Sequence, residues 1–116
     1  MNNSFKQKHT LEKRLSESKK ILDKYNNRIP IIILQDNKSS LPKLDKIKYL
    51  VPNDITVAQF IFIIRKRISL APEEAIFIFV KETLPPSSYL MSAIYNEYKD
   101  EDGFLYLTIT SENTFG

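Results

Sequence analysis

The amino-acid sequence predicts one α+β domain. Three observations carry that expectation. Strand-like runs rich in Ile, Val, Phe and Tyr alternate with helix-like segments whose apolar residues recur three and four apart. The 116-residue length is near the commonest size of a single domain and large enough for one core. The apolar share of 42% and the charged share of 27% are ordinary for a globular chain, which sets wholesale disorder aside.

Taken in order, Ser4 to Lys8 reads as a short, poorly buried helical turn. The next helix is better marked. Thr10 is its N-cap, Glu12 lies in the first turn, and Leu11, Leu15, Ser18, Leu22 and Tyr25 form its stripe, with Ile21 beside it. Asn26-Asn27 ends it, since asparagine tolerates the left-handed conformation. The β-branched run Arg28–Gln35 predicts a strand, with Pro30 confined to an edge or a strand start. Asp36 to Ser40 is a turn, and a second strand follows at Lys46–Pro52, where Ile47, Tyr49 and Val51 alternate with Lys46, Lys48 and Leu50.

Thr56 and Gln59 spell a capping box that opens a helix to about Ile68. Its buried stripe is Val57, Phe60, Ile61, Ile64 and Ile68. Phe62 and Ile63 fall off that stripe and leave apolar surface exposed unless another element covers them. Ala75–Val80 is wholly apolar and predicts a central strand; Leu84-Pro85-Pro86 breaks it. A short helix over Tyr89–Tyr98 and a last strand over Phe104–Thr110 complete the chain. Behind the first helices the order is strand, strand, helix, strand, short helix, strand. That is the order of the ubiquitin-like β-grasp.

Composition excludes several kinds of chemistry. Without cysteine there is no disulfide, thiolate nucleophile or Cys-based zinc site, and a reducing compartment suits the chain. No run is long enough to span a bilayer as a helix, so a cytoplasmic protein is expected. The single His9 has no second His or Cys at metal-ligand spacing. Two glycines cannot build a phosphate-cradling loop. The carboxylates between Glu97 and Asp102 read as a solvated turn, not as an acid–base pair, so the chain is expected not to be an enzyme and to need no cofactor. The net charge of +3 is uneven: residues 1–24 carry Lys6, Lys8, Lys13, Arg14, Lys19, Lys20 and Lys24 against Glu12, Glu17 and Asp23. No aromatic stacking motif accompanies this basic segment, so nucleic acid is not an expected partner.

One feature stands apart from the core. Ser111-Glu112-Asn113-Thr114-Phe115-Gly116 follows the last strand and ends on a glycine, whose carboxylate carries no side chain to obstruct an attacking group. Together with Asn27-Arg28-Ile29-Pro30, Lys48-Tyr49-Leu50-Val51-Pro52, Ile76-Phe77-Ile78-Phe79-Val80, Leu84-Pro85-Pro86, Leu90-Met91-Ser92-Ala93-Ile94-Tyr95 and Asp102-Gly103-Phe104-Leu105-Tyr106, it makes the chain resemble the autophagy ubiquitin-like modifiers. That family includes GABARAP and the microtubule-associated protein light chains. The resemblance spans the whole chain and lies nearest the yeast-type and GABARAP branches. Leu11 departs from it by standing where an aromatic is common, and Ala71 by replacing a frequent proline.

The resemblance implies three parts: a helical extension over residues 1–26, a β-grasp core over 27–110 and a conjugation tail over 111–116. It implies that an activating enzyme adenylates the Gly116 carboxylate and captures it as a thioester. A conjugating enzyme then passes it to the amine of phosphatidylethanolamine on autophagosomal or vacuole-type membranes. Thr114 and Phe115 would be read by those enzymes and by the processing and delipidating cysteine protease. It also implies docking of W/F/Y-x-x-L/I/V peptides from cargo receptors and adaptors along the sheet edge through Lys46–Val51. The aromatic anchor would meet Glu17, Ile21, Pro30, Ile32, Lys48, Leu50 and Phe104. The aliphatic anchor would meet Tyr49, Val51, Pro52, Ile55, Phe60 and Ile63, with Arg28, Lys46 and Arg67 facing flanking acidic residues. A different class of reading is a non-conjugated module that uses the basic N-terminal helices on acidic partners such as tubulin.

Overall fold

The computed structural model describes residues 3–36 and 40–111. Its elements are α1 (Ser4–Lys8), α2 (Leu11–Lys24), β1 (Arg28–Gln35), β2 (Lys48–Pro52), α3 (Val57–Ile68), β3 (Phe77–Phe79), α4 (Met91–Tyr98) and β4 (Leu105–Thr110). The four strands form one mixed sheet in the order β2-β1-β4-β3. β1 pairs antiparallel with β2 and parallel with β4, and β3 closes the far side antiparallel to β4. This is the expected ubiquitin-like α+β architecture. The predicted turn at Asp36–Ser40 is described only at its two ends.

β1 explains why the sheet has two covered faces. Ile31, Ile32 and Ile33 are all buried, although neighbours along a strand point to opposite sides. Ile29, Ile31 and Ile33 join Leu105, Leu107 and Ile109 in the main core, roofed by Val57, Phe60, Ile64 and Ile68 of α3 and by Met91 and Ile94 of α4. Ile32 turns the other way, into a smaller cluster with Phe5 of α1 and Phe104. Pro30 is tolerated in this central strand because of where its missing N–H would point. It opposes Leu50 at a position between the ladder bonds to β2, and pairing with β4 begins only at Ile31.

α3 follows its sequence signals closely. Thr56 and Gln59 form both halves of the capping box, and Ser69 ends the helix in the left-handed conformation with φ 52°. Phe62 and Ile63 are exposed, as their position off the stripe required.

Five expectations are corrected. Ser4–Lys8 is helical but not poorly buried, because Phe5 inserts beneath it into the second cluster. Of the stripe predicted for α2, Ser18 is buried but the leucines Leu11, Leu15 and Leu22 are exposed, and Arg14, off that stripe, is buried. Where Arg14 and Ser18 lie, the surface α2 meets is the polar Asp102–Gly103 loop, which takes a charged and a small side chain. α2 ends at Tyr25 in an extended conformation, and Asn26 and Asn27 form a turn without left-handed backbone. The apolar run Ala75–Val80 yields an edge strand of three residues, not a central one. Its apolar character reflects the packing of Ile76, Ile78 and Val80 into the main core. Finally, Asp102 is not a solvated turn carboxylate; it is fully buried.

Candidate functional site

β2 is the element around which the predicted docking residues gather. Among the described residues it pairs with β1 alone, so its other side is an open edge. The phase of the ladder is set by Ile33 N–H donating to Ile47 and Asn53 N–H donating to Asn27. Tyr49 and Val51 therefore exchange bonds with β1, and the N–H and C=O groups of Lys48 and Leu50 face outward. The Arg28 guanidinium donates to the outward Leu50 carbonyl at 3.3 Å.

Side chains alternate across the same strand. Tyr49 and Val51 point into the main core, where the Tyr49 and Phe60 rings meet edge-on at 6.2 Å. Ile55 packs against that core, Pro52 is half-buried, and Ile63 of α3 is exposed. Burial raises the Tyr49 pKa, and its hydroxyl has no hydrogen-bond partner among the described residues. Lys48 and Leu50 point to the opposite face. There Glu17 pairs with Lys48, whose pKa is lowered by burial, and Ile21 packs against the Phe5–Ile32–Phe104 cluster. Pro30 is buried opposite Leu50.

Apart from Ile63, which is exposed on α3, the predicted pocket residues thus fall on β2 or on the two faces of the sheet flanking it. Of the charged residues, Lys46 holds its amine 5.0 Å from the Tyr49 ring, and Arg67 pairs with Asp45 at 3.2 Å. Thr114, Phe115 and Gly116 lie outside the described residues.

Sequence reasoning missed three contributors. Phe5 stands edge-on to Phe104 at 5.3 Å, and His9 packs on it at 4.8 Å. Its signal was an isolated aromatic in an otherwise charged segment, a residue with little reason to be there unless buried. Arg14 and Asp102 form an ion pair of 2.7 Å with the carboxylate fully buried. That carboxylate also accepts from the Tyr106 hydroxyl at 2.5 Å and from Phe104 N–H at 2.9 Å. Its hydrogen bond, followed by burial acting the other way, leaves the Arg14 pKa raised; burial and then Asp102 raise that of Tyr106.

Gly103, at φ +87°, lets α2 approach this loop, because a Cβ there would collide with the Ser18 side chain. The Ser18 hydroxyl donates to the Asp102 carbonyl at 2.5 Å. Beside them, Lys6 pairs with Asp100 at 2.6 Å.

A separate apolar cavity of about 340 Å³ opens between α3, β3 and the Leu84–Ser87 segment, lined by Val57, Ile61, Phe77 and Pro85 among others. No group of three or more acidic or histidine side chains suited to a metal occurs among the described residues. β2 thus presents an open edge with apolar residues on both of its faces.

Comparison with known proteins agrees with this fold. A family model described as "Autophagy protein Atg8 ubiquitin like" matches residues 13–116. The chain is 61% identical over 113 residues to autophagy-related protein 8B of Oryza sativa subsp. indica, covering 97% of this chain and 95% of that one. It is 59% identical over 116 residues to autophagy-related protein 8 of Saccharomyces cerevisiae (strain YJM789), covering 100% and 99%.

Among solved structures, Trypanosoma brucei ATG8 superposes with a TM-score of 0.92 at 43% identity, covering 100% of both chains. Plasmodium falciparum Atg8, in complex with a P. falciparum Atg3 peptide, superposes with a TM-score of 0.89 at 38% identity, covering 99% of this chain and 100% of that one. With relatives this similar over its whole length and a fold shared with both solved structures, the chain belongs to the Atg8 family of autophagy ubiquitin-like proteins.

Proposed function

We propose that this chain is a modifier and adaptor rather than an enzyme, and that it docks W/F/Y-x-x-L/I/V peptides on the open edge of β2. The observation that carries the docking reading is the alternation along that edge. In an added strand, residues three apart point to opposite faces of the sheet. The apolar residues lie on opposite faces of β2: Ile21, Leu50 and the Phe104 cluster on one, Tyr49, Val51, Phe60 and Ile55 on the other. An anchor spacing of x-x therefore delivers one side chain to each, and the outward groups of Lys48 and Leu50 supply the main-chain pairing.

Arg28, Lys46 and Arg67 would face acidic residues flanking the motif. For Arg28 and Arg67 that means exchanging the Leu50 carbonyl and the Asp45 carboxylate for the peptide. Replacing Tyr49 and Leu50 together by Ala is expected to weaken such a peptide at least tenfold, the loss of two side-chain contacts. Thermal unfolding should show that the domain remains folded, although less stable for the loss of Tyr49 from the core. Unchanged affinity in a calorimetric titration would put the peptide elsewhere.

The family membership supports conjugation as the second half of the function. In this reading residues 27–110 are the core that carries the docking edge, residues 1–26 the helical extension, and residues 111–116 the tail. Thr114 and Phe115 are read by the activating and conjugating enzymes and by the cysteine protease that processes and delipidates the chain. Gly116 is joined to phosphatidylethanolamine, and the chain moves from cytoplasm to autophagosomal or vacuole-type membrane. An Atg3 peptide bound to the P. falciparum relative accords with a conjugating-enzyme partner. Two acyl chains hold a protein at a bilayer where one gives marginal binding.

Incubation with activating and conjugating enzymes, ATP and phosphatidylethanolamine liposomes should add the lipid mass at Gly116, and Gly116→Ala should abolish it. If Gly116→Ala leaves function intact while charge reversal at Lys19 and Lys20 destroys it, the chain is instead a non-conjugated module for acidic partners such as tubulin.

A further inference from the structure

The aromatic site just described is closed in this structure. Ile32 and Phe104, its floor, each have 0% of their surface exposed, and Phe5 above them has 5%. The cover is a phenylalanine ring, the same chemical class as the anchor the site is proposed to receive. From this we infer that Phe5 is the intramolecular occupant of the aromatic site and sets the affinity of every aromatic-anchored peptide. The inference rests on the docking reading above.

The geometry around Phe5 supports exchange rather than permanent burial. Its ring meets Phe104 edge-on at 5.3 Å and Tyr106 at 6.4 Å, an arrangement an incoming aromatic ring can reproduce. The Lys48 amine lies 5.7 Å from the Phe5 ring centroid while pairing with Glu17, so one cation spans β2, α2 and the covering ring. α1 itself is only five residues long, too short to persist as a helix without packing.

Beyond the Phe5 ring, α1 is tied down by the Lys6–Asp100 pair at 2.6 Å and by Lys6 lying 5.1 Å from the Tyr106 ring. The chain that follows is fixed separately, by Arg14 donating to the His9 carbonyl at 3.1 Å. α1 can therefore lift while α2 stays docked. The aliphatic site on the opposite face is untouched by this movement.

Because only the open fraction binds, displacing Phe5 multiplies the dissociation constant of any aromatic-anchored peptide by one factor. The chain has no tryptophan, so the fluorescence of a synthetic peptide with acidic residues preceding Trp-x-x-Leu reports binding directly. Phe5→Ala should tighten that peptide about fivefold or more. Lys6→Ala, which loosens α1 without altering the site, should tighten it about twofold. A control peptide with Ala in place of Trp, followed by calorimetry, should bind both variants and the parent chain alike.

Lys6→Ala also guards against misreading a folding defect in Phe5→Ala, and thermal unfolding of each variant shows whether the core is retained. Affinity unchanged or weakened in both variants overturns the inference while leaving the docking reading intact. A Trp peptide that binds none of the proteins, or binds indifferently to replacement of Tyr49 and Leu50, overturns the docking reading and the inference with it.

Discussion

The two faces of the sheet are held by different physics. On the α3 face, nineteen buried apolar residues among those described form a single cluster. On the α1–α2 face, three buried apolar residues share the work with a buried ion pair and its hydrogen bonds. The first face is non-directional packing that tolerates little disturbance without global cost. The second is a set of directional contacts, each of which fails separately. The same sheet therefore combines a rigid floor with a cover attached at identifiable points, and the proposed aromatic site lies beneath that cover.

Ile31 and Ile32 give the sharpest contrast, since they are neighbours on one strand, both fully buried, facing opposite sides. Ile31→Ala should cost about 4 kcal/mol, toward the upper part of the range for such truncations, and Ile32→Ala nearer about 2 kcal/mol, because the small cluster collapses more readily. Equal costs in denaturant unfolding would remove the distinction. Next in size is Arg14→Met, expected to destabilise by about 3 kcal/mol at neutral pH by leaving the Asp102 carboxylate buried without its counter-ion. A neutral result would mean that packing, not charge, holds α2.

The smallest effect belongs to Lys6–Asp100. Burial pushes the Asp100 carboxyl up, but the Lys6 hydrogen bond, the Asp102 N–H and the nearby cations outweigh it and hold the pKa below 3.8. A depressed carboxylate contributes stability above its ordinary pKa and loses it as pH falls through the lowered value. α1 should therefore loosen in acid. The acid-induced change in amide protection around Phe5 should disappear in Lys6→Ala, whose cost at neutral pH is expected to stay under about 1 kcal/mol for so exposed a pair.

Much of this was legible in the residues. Thr56 and Gln59 announced α3 and its cap, and the off-stripe Phe62 and Ile63 announced exposed apolar surface. The alternation at Lys48–Pro52 announced a strand with two distinct sides. The misreading of α2 has a clear cause. Helical periodicity marks the more apolar side of α2, whereas the buried side is decided by what it meets. That surface is the Asp102–Gly103 loop, more than eighty residues away in sequence, which takes Arg14 and Ser18 and leaves Leu11, Leu15 and Leu22 outside.

By itself, then, the sequence determined the kinds of element, the alternating faces of β2 and the family likeness, because propensity, capping and side-chain period are local properties. Only the tertiary structure decided that Ala75–Val80 supplies an edge strand, that Asp102 is buried against Arg14, and that Phe5 packs on Ile32 and Phe104. Each of these depends on contacts between segments far apart in the chain, and no short window of residues contains both partners.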